Sequence, residues 1–274
     1  VAEREGSPVV GELVLTNLGE FPALLVEGEL LEGGWQHRTM LHDVLLAPGE
    51  SMVAAVACVE AGRWHGQEAH VRRSRRASGT MRAALAADTA RDPQQEVWER
   101  VSRYVDVAGV SPTMSFLDNL DGALGSVEPG SSDDSGHGPR QDDGVERLLR
   151  AVASERPLDG QRGIIVGMAG QPVVLELYPT QDALAEAIAP MLRGFVLDAL
   201  ATRTPSEPVP ARRARRLLER LDGVRAKPVP AADAGAGVLR GAGTDHAVVR
   251  GLTRGRDWVH LTAFNRHHEL LELV

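Results

Sequence analysis

The sequence predicts an α+β protein. A β-rich, sandwich-like N-terminal half leads into a helical segment and then a C-terminal ββαα-ββ unit. Three observations carry this. Over residues 8–57, short apolar runs alternate with Gly, Pro and Asn turns at roughly 8–12-residue spacing. From residue 92 the apolar spacing becomes helical. After residue 163, paired apolar runs bracket two helical stretches.

Val9, Val10, Leu13 and Leu15 approximate alternation, and Asn17-Leu18-Gly19-Glu20 turns the chain. Residues 21–26 are a second short apolar run, and Gly33-Gly34 breaks the pattern beyond it. Residues 39–46 read as one strand, Ala47-Pro48-Gly49-Glu50 as a tight turn, and 52–59 as a buried strand. Residues 66–90 show no clear period: 71–76 hold four arginines and 79–90 are Ala-rich. Asp92-Pro93 opens a helix over 94–107, with Val97, Val101, Tyr104 and Val105 on one face. Ser111-Pro112 opens another, faced by Met114, Leu117 and Leu120. Residues 126–144 are rich in Gly, Ser and Asp and read as a disordered linker or insertion. Residues 145–153 return to helix.

Strands at 164–168 and 172–178 meet at Ala169-Gly170-Gln171, which suits a hairpin. Thr180 is placed to cap a helix carrying Leu184, Ile188, Leu192 and Phe195, which Pro190 should kink. A basic helix follows over 211–221. Strands 247–253 and 258–264 close the chain across Arg254-Gly255. The divisions are 1–90 (β-rich), 91–160 (helical, with the 126–144 insertion) and 161–274 (α+β), within one integrated domain.

Composition narrows the function. The net charge is −8, the pI about 5.6 and aromatics only 4%. That argues against phosphate-backbone binding and against base stacking, so no nucleic-acid partner is expected. No stretch of 18 apolar residues is present, so no membrane partner is expected. The single cysteine, Cys58, forbids an intrachain disulfide and a Cys-rich zinc site, and points to a reducing, cytoplasmic setting. Lys227 is the one lysine among 30 basic residues. Arginine is thus the default cation, as in proteins of GC-rich bacterial genomes. Phosphate-loop, zincin, nucleophile-elbow and dinucleotide fingerprints are all missing, so no cofactor and no metal are expected. Oligomeric state is left open.

Two polar clusters flank strands of the β-rich half. The first runs from Glu27 to Arg38 and gathers Glu27, Glu29, Gly33, Gln36, His37 and Arg38. Glycine lets a backbone approach a ligand, a carboxylate accepts from ribose hydroxyls or acts as base, and Arg grips a pyrophosphate. A closed hairpin with solvated charges is the plainer reading. The second holds Cys58, Glu60, Arg63 and Trp64. There Cys58 reads as a small buried hydrophobe, although a thiolate activated by Arg63 is the alternative.

The runs LLVEGELLEGGWQHR, VLLAPGES, CVEAGRW, QQEVWERV, VVLELYPTQDALAEAIAPMLRGFVLDAL and VHLTAF together carry a resemblance. From about Leu13 to Phe264 the chain resembles the ARG and rhodanese-phosphatase-superfamily associated protein domain, where ARG denotes ADP-ribosylglycohydrolase. It looks N-terminally shortened, consistent with Val1 in place of Met, and it carries His37 where the family pattern has Asn. The resemblance matches Glu27, Gly28, Glu29, Gly33, Gln36, Arg38, Cys58, Glu60, Arg63, Trp64, Gln94 and Trp98. The family name implies a place in NAD-derived or ADP-ribose metabolism. On that basis the expected partner is an ADP-ribose-like nucleotide. Arg38 or Arg63 would hold the pyrophosphate, Glu27 or Glu29 the ribose, and Trp64 the adenine, with Gly33 and Gln36 beside them. Glu29 or Glu60 would be the base if the ligand is hydrolysed; whether the protein is an enzyme is left open. The rival is a non-catalytic interaction module. Catalysis requires both clusters to converge on one cleft, whereas a scaffold needs no such convergence.

Overall fold

The computed structural model describes residues 1–4, 6, 9–67, 69–87, 92–125, 143–205, 207–230, 232–271 and 273. It is a mixed α+β structure with a β-rich N-terminal half. Strands β1 (Glu12–Thr16), β2 (Ala23–Leu25), β3 (Glu29–Gly33), β4 (Arg38–Met40), β5 (Val44–Leu46), β6 (Ser51–Cys58) and β7 (His70–Arg76) form it. Five of them make an antiparallel sheet in the order β1-β6-β4-β3-β7, while β2 and β5 pair separately. Strand alternation divides the side chains between two cores. Leu31, Ala54 and Val56 join Leu13, Leu15 and Met40 inside the curled sheet. Leu30 and Ala57 face the helices, against Met81, Val97 and Phe116.

Two details depart from the sequence reading. The run 39–46 is cut into β4 and β5, because the chain bends at Leu41 and His42, and Asp43 just after the bend is buried. Strand β7 gave no apolar signal because it ends the sheet, and residues 71–74 face solvent there.

The helices are α1 (Gly79–Ala86), α2 (Pro93–Ser102), α3 (Val105–Ala108), α4 (Phe116–Leu124), α5 (Asp143–Ser154), α6 (Gln181–Thr202) and α7 (Ala211–Leu221). Side chains of Ser78, Asp92, Ser115 and Thr180 cap α1, α2, α4 and α6 by accepting from first-turn N–H groups. The helix expected over 94–107 breaks at Arg103-Tyr104. There the Tyr104 hydroxyl is drawn inward to donate to Asp198 Oδ1 (2.7 Å), and its ring meets Phe116 edge-on. Helix α6 runs unbroken through Pro190. The segment 126–142, read as an insertion, lies outside the described residues; residues 143–144 begin α5.

Strands β8 (Gly163–Met168), β9 (Gln171–Leu177), β10 (Lys227–Pro228), β11 (Val238–Gly243), β12 (Ala247–Arg254) and β13 (Asp257–Asn265) form the second sheet. Its order is β10-β11-β12-β13-β9-β8, all antiparallel. Strands β10 and β11 are additions to the expected ββαα-ββ pattern. Val238-Leu239-Arg240-Gly241-Ala242-Gly243 carries too few side chains to show alternation, and Gly241 leaves room for the Arg250 guanidinium, 2.2 Å from where a Cβ would stand. One face of this sheet packs Val174, Val248 and Phe264 on Met191 and Phe195 of α6 and Ala83 of α1. The opposite face packs Leu175, Val249 and Ala263 with Leu221 at the end of α7. A parallel bridge between Leu45 and Gly235 ties the two halves. Among the described residues no helix is long and apolar enough to cross a membrane.

Candidate functional site

The two sequence clusters do not merge into one cleft. The second cluster and part of the first form a buried knot. The Glu60 carboxylate accepts from Arg63 Nε (3.0 Å) and Nη2 (2.7 Å), from Thr113 Oγ1 (2.9 Å) and from the His37 N–H (3.1 Å). Arg63 spends its remaining donors on the carbonyls of Gly34 (2.8 Å), His65 (3.1 Å) and Gly33 (3.2 Å). Gln36 donates to the Glu60 carbonyl and accepts from Arg38 Nη1 (3.2 Å). Arg38 also lies 3.8 Å from Glu3. Gly34, at φ +56°, lets the His70 ring lie directly on the backbone, 2.0 Å from where a Cβ would stand.

Burial pushes the Glu60 carboxyl up, but Arg63, the His37 amide and Thr113 outweigh it and hold it below its ordinary range. Burial depresses His70 to about 4, so it is neutral and its Nε2–H donates to the Gln36 carbonyl (3.1 Å). His37 uses Nδ1 to accept from the Gly33 N–H (2.9 Å), a role an amide oxygen also fills.

These side chains are occupied by one another. Gln36 and Arg38 are almost wholly buried, and Arg63 is used as a three-way staple between loops. Trp64 is exposed. Cys58 is bracketed by Gln94, which accepts from its N–H and donates to its carbonyl (both 2.7 Å), and burial raises its thiol above the ordinary range. Native-state labelling of Cys58 by a thiol reagent is therefore expected to be slow, tracking unfolding rather than reagent concentration. Rapid labelling at neutral pH would overturn that assignment.

The carboxylates of the first cluster turn elsewhere. Glu29 pairs with Arg72 and accepts from the Val26 N–H. Glu27, in the turn before β3, enters a buried ion network between the two sheets. Its Oε1 accepts from Arg82 Nη2 (2.6 Å), Arg82 Nε (3.1 Å), Arg76 Nη2 (3.1 Å) and Thr262 Oγ1 (3.1 Å). Gly28, at φ +74°, admits the Arg82 stem, whose Cγ lies 2.6 Å from where a Cβ would stand. Glu176 of β9 accepts from Arg76, Arg82 and the Tyr178 hydroxyl. Asp43 accepts from the Glu27 N–H and from His260 Nδ1, both at 2.8 Å.

Three carboxylates (Glu27, Asp43, Glu176) thus meet three cations (Arg76, Arg82, His260). Balance of this kind is what allows charges to persist in an interior. Burial lowers and Asp43 raises the His260 pKa, which ends at about 9, so the ring is charged at neutral pH. Asp43 sits below its ordinary value and Glu176 well below, each against the penalty of burial.

Sequence reading missed Asp43, Arg76, Arg82, Glu176, Tyr178 and His260. The usable signal was a lone ionisable residue at an inward position of an apolar run: Glu176 in VVLEL and His260 in WVHLTAF.

The network borders two cavities. Glu27 and Asp43 wall one of about 230 Å³, whose other sides carry His42, Arg240, Arg250, Leu41, Leu85 and Leu239. Arg76 and Tyr178 wall the other, of about 310 Å³, together with Glu29, Arg72 and Glu186. Within the first, Glu27 Oε2 keeps acceptor capacity, its protein contact being the 3.3 Å one to Arg82 Nε. Among the described residues no group of three or more His, Cys, Asp or Glu side chains is arranged to hold a metal ion.

Neither the curated proteins nor the solved structures include a match to this chain. Residues 1–264, nearly the whole chain, match the ARG and Rhodanese-Phosphatase-superfamily-associated Protein domain, and the chain belongs to that family.

Proposed function

We propose that the protein binds a ribosyl phosphate of the ADP-ribose class in the cavity walled by Glu27 and Asp43. One observation carries this reading: two buried carboxylates, two half-buried arginines and several apolar side chains line the same cavity. Carboxylates accept from vicinal ribose hydroxyls, and guanidinium groups take phosphate oxygens in pairs. Leu41, Leu85 and Leu239 supply the apolar contact a ring needs. At about 230 Å³ the cavity holds one ribose phosphate rather than a whole dinucleotide, so the remainder of the ligand lies outside it. The family name, which pairs this domain with ADP-ribosylglycohydrolases, supports the ligand class.

Recognition is favoured over hydrolysis. Glu60, one of the two expected bases, has its acceptors filled by Arg63, Thr113 and the His37 amide, and Glu29 is paired with Arg72. The decisive position is Arg240, since Arg38 is buried in the knot. Calorimetric titration with ADP-ribose, NAD and ADP is expected to give heat with at least the first. Arg240→Ala should weaken it about 10- to 150-fold, the cost of one charge-assisted contact of about 1.5–3 kcal/mol. A folded wild-type protein that gives no heat with any of the three would sink the reading and favour the interaction module.

A further inference from the structure

Helix α7 carries a concentration of positive charge at odds with the rest of the chain. Its eleven residues hold Arg212, Arg213, Arg215, Arg216 and Arg220 against one carboxylate, Glu219, in a protein of net charge −8. Arg213, Arg216 and Arg220 recur at i, i+3 and i+7, so they share one face over two turns. That face walls a cavity of about 290 Å³, completed by Gln171, Leu217 and Asn265, with no Asp or Glu in its lining.

The arginines differ in how they are held. Arg213 is anchored, donating through Nη1 to the Gly170 carbonyl (2.6 Å). Gly170 N–H in turn donates to the Glu207 carbonyl, which fixes the chain entering α7 (3.0 Å). Arg216 and Arg220 are exposed, and among the described residues neither has a carboxylate within ion-pair distance. The acidic groups near the helix include Glu207, whose carboxylate borders Gly170, Glu219 on the helix itself and Asp222 at its C-terminal end.

This arrangement opposes the intrinsic stability of the helix. Arg212 and Arg213 stand in the first turn, where the helix dipole disfavours cations, and that turn has no acidic residue and no capping side chain. Like charges three and four positions apart add repulsion. An anion seated in the cavity would relieve all of these at once. The apolar side of the helix, through Leu217 and Leu221, is packed on the sheet, so α7 is not free to lay an apolar face in a bilayer.

We propose that the Arg213–Arg216–Arg220 cavity binds an oligophosphate, a ligand with two or more linked phosphoryl groups. The axial rise from Arg213 to Arg220 is about 10 Å, which a single phosphate does not span and a di- or triphosphate chain does. The site is independent of the cavity proposed above for the ribosyl phosphate. Alternation along β9 and β13 puts α7 on one face of the second sheet, beside Leu175 and Ala263. Glu176 and Thr262 of the ion network lie on the other face.

The test titrates the full chain at constant ionic strength with inorganic tripolyphosphate, ATP and sulfate, by calorimetry and by melting temperature. Tripolyphosphate is expected to bind at least about tenfold more tightly than sulfate and to raise the melting temperature. The double variant Arg216→Gln/Arg220→Gln should weaken it about 100-fold, roughly tenfold for each arginine. Arg254→Gln, at an exposed arginine outside α7, should leave it unchanged. ATP binding more tightly than tripolyphosphate would identify a nucleotide as the source of the phosphates, and equal binding would identify the free polyanion. The proposal falls if tripolyphosphate gives no heat, if sulfate binds equally, or if Arg254→Gln weakens binding as much as the α7 variant. It also falls if vesicles containing anionic lipid capture the protein while tripolyphosphate does not bind.

Discussion

Replacing Arg82 by Ala is expected to lower the unfolding free energy by about 3–5 kcal/mol, the usual cost of breaking a buried ion group on one side only. Arg82 is fully buried and donates to both Glu27 and Glu176. Its loss leaves three buried carboxylates facing two cations, with neither water nor a new donor to compensate. Urea denaturation followed by circular dichroism reads the effect directly. A second variant separates charge imbalance from lost packing. Arg82→Met combined with Glu27→Gln restores the balance of charges and should recover a substantial part of the loss. A single-variant loss below about 1 kcal/mol would mean that water already reaches the network.

The second large effect is a dependence of stability on alkaline pH. His260 is held at about 9 in the folded chain, against an ordinary value of 6.5. A raised histidine pKa means that the folded state binds the proton more tightly than the unfolded chain does. The stabilisation is therefore complete below about 6.5 and drains away as pH rises through about 9. The full swing is about 3 kcal/mol, at 1.36 kcal/mol for each pH unit. On the acid side the sign reverses. Asp43 and Glu176 lie below their ordinary values, so their contribution is present above the unfolded carboxylate pKa and lost as pH falls further. Stability should peak between these limits, and His260→Gln should flatten the alkaline limb. A wild-type profile level from pH 6.5 to 9 would refute the charged, buried imidazolium.

Much of the fold was legible because its elements bury one face and expose another. The pairs 164–168/172–178 and 247–253/258–264 became β8/β9 and β12/β13, and the basic run 211–221 became α7. The elements that escaped lack that contrast. Strand β7 shows arginines to solvent at the end of its sheet, and α1 is buried on nearly every side, so GTMRAALA carries no stripe. The site was less legible for a different reason. A buried ion network is a property of residues distant along the chain: Thr262 reaches Glu27 across 235 positions, and Arg76 reaches Glu176 across 100. Local pattern finds the polar cluster at 27–38, but only the fold shows that Glu27 leaves it while Gln36 and Arg38 stay with Glu60.

The same separation sets a timetable for synthesis. A ribosome adds roughly 5–20 residues per second. The 235 positions between Glu27 and Thr262 therefore take about 10–50 s to emerge. For most of that interval the chain already holds Arg76 and Arg82 but lacks the strand that brings Thr262 and His260. The N-terminal sheet can pair its own strands in that time, yet its polar underside stays solvated until β9 and β13 arrive. Nascent chains arrested before β9 should leave this face open to proteases, and arrest after β13 should close it.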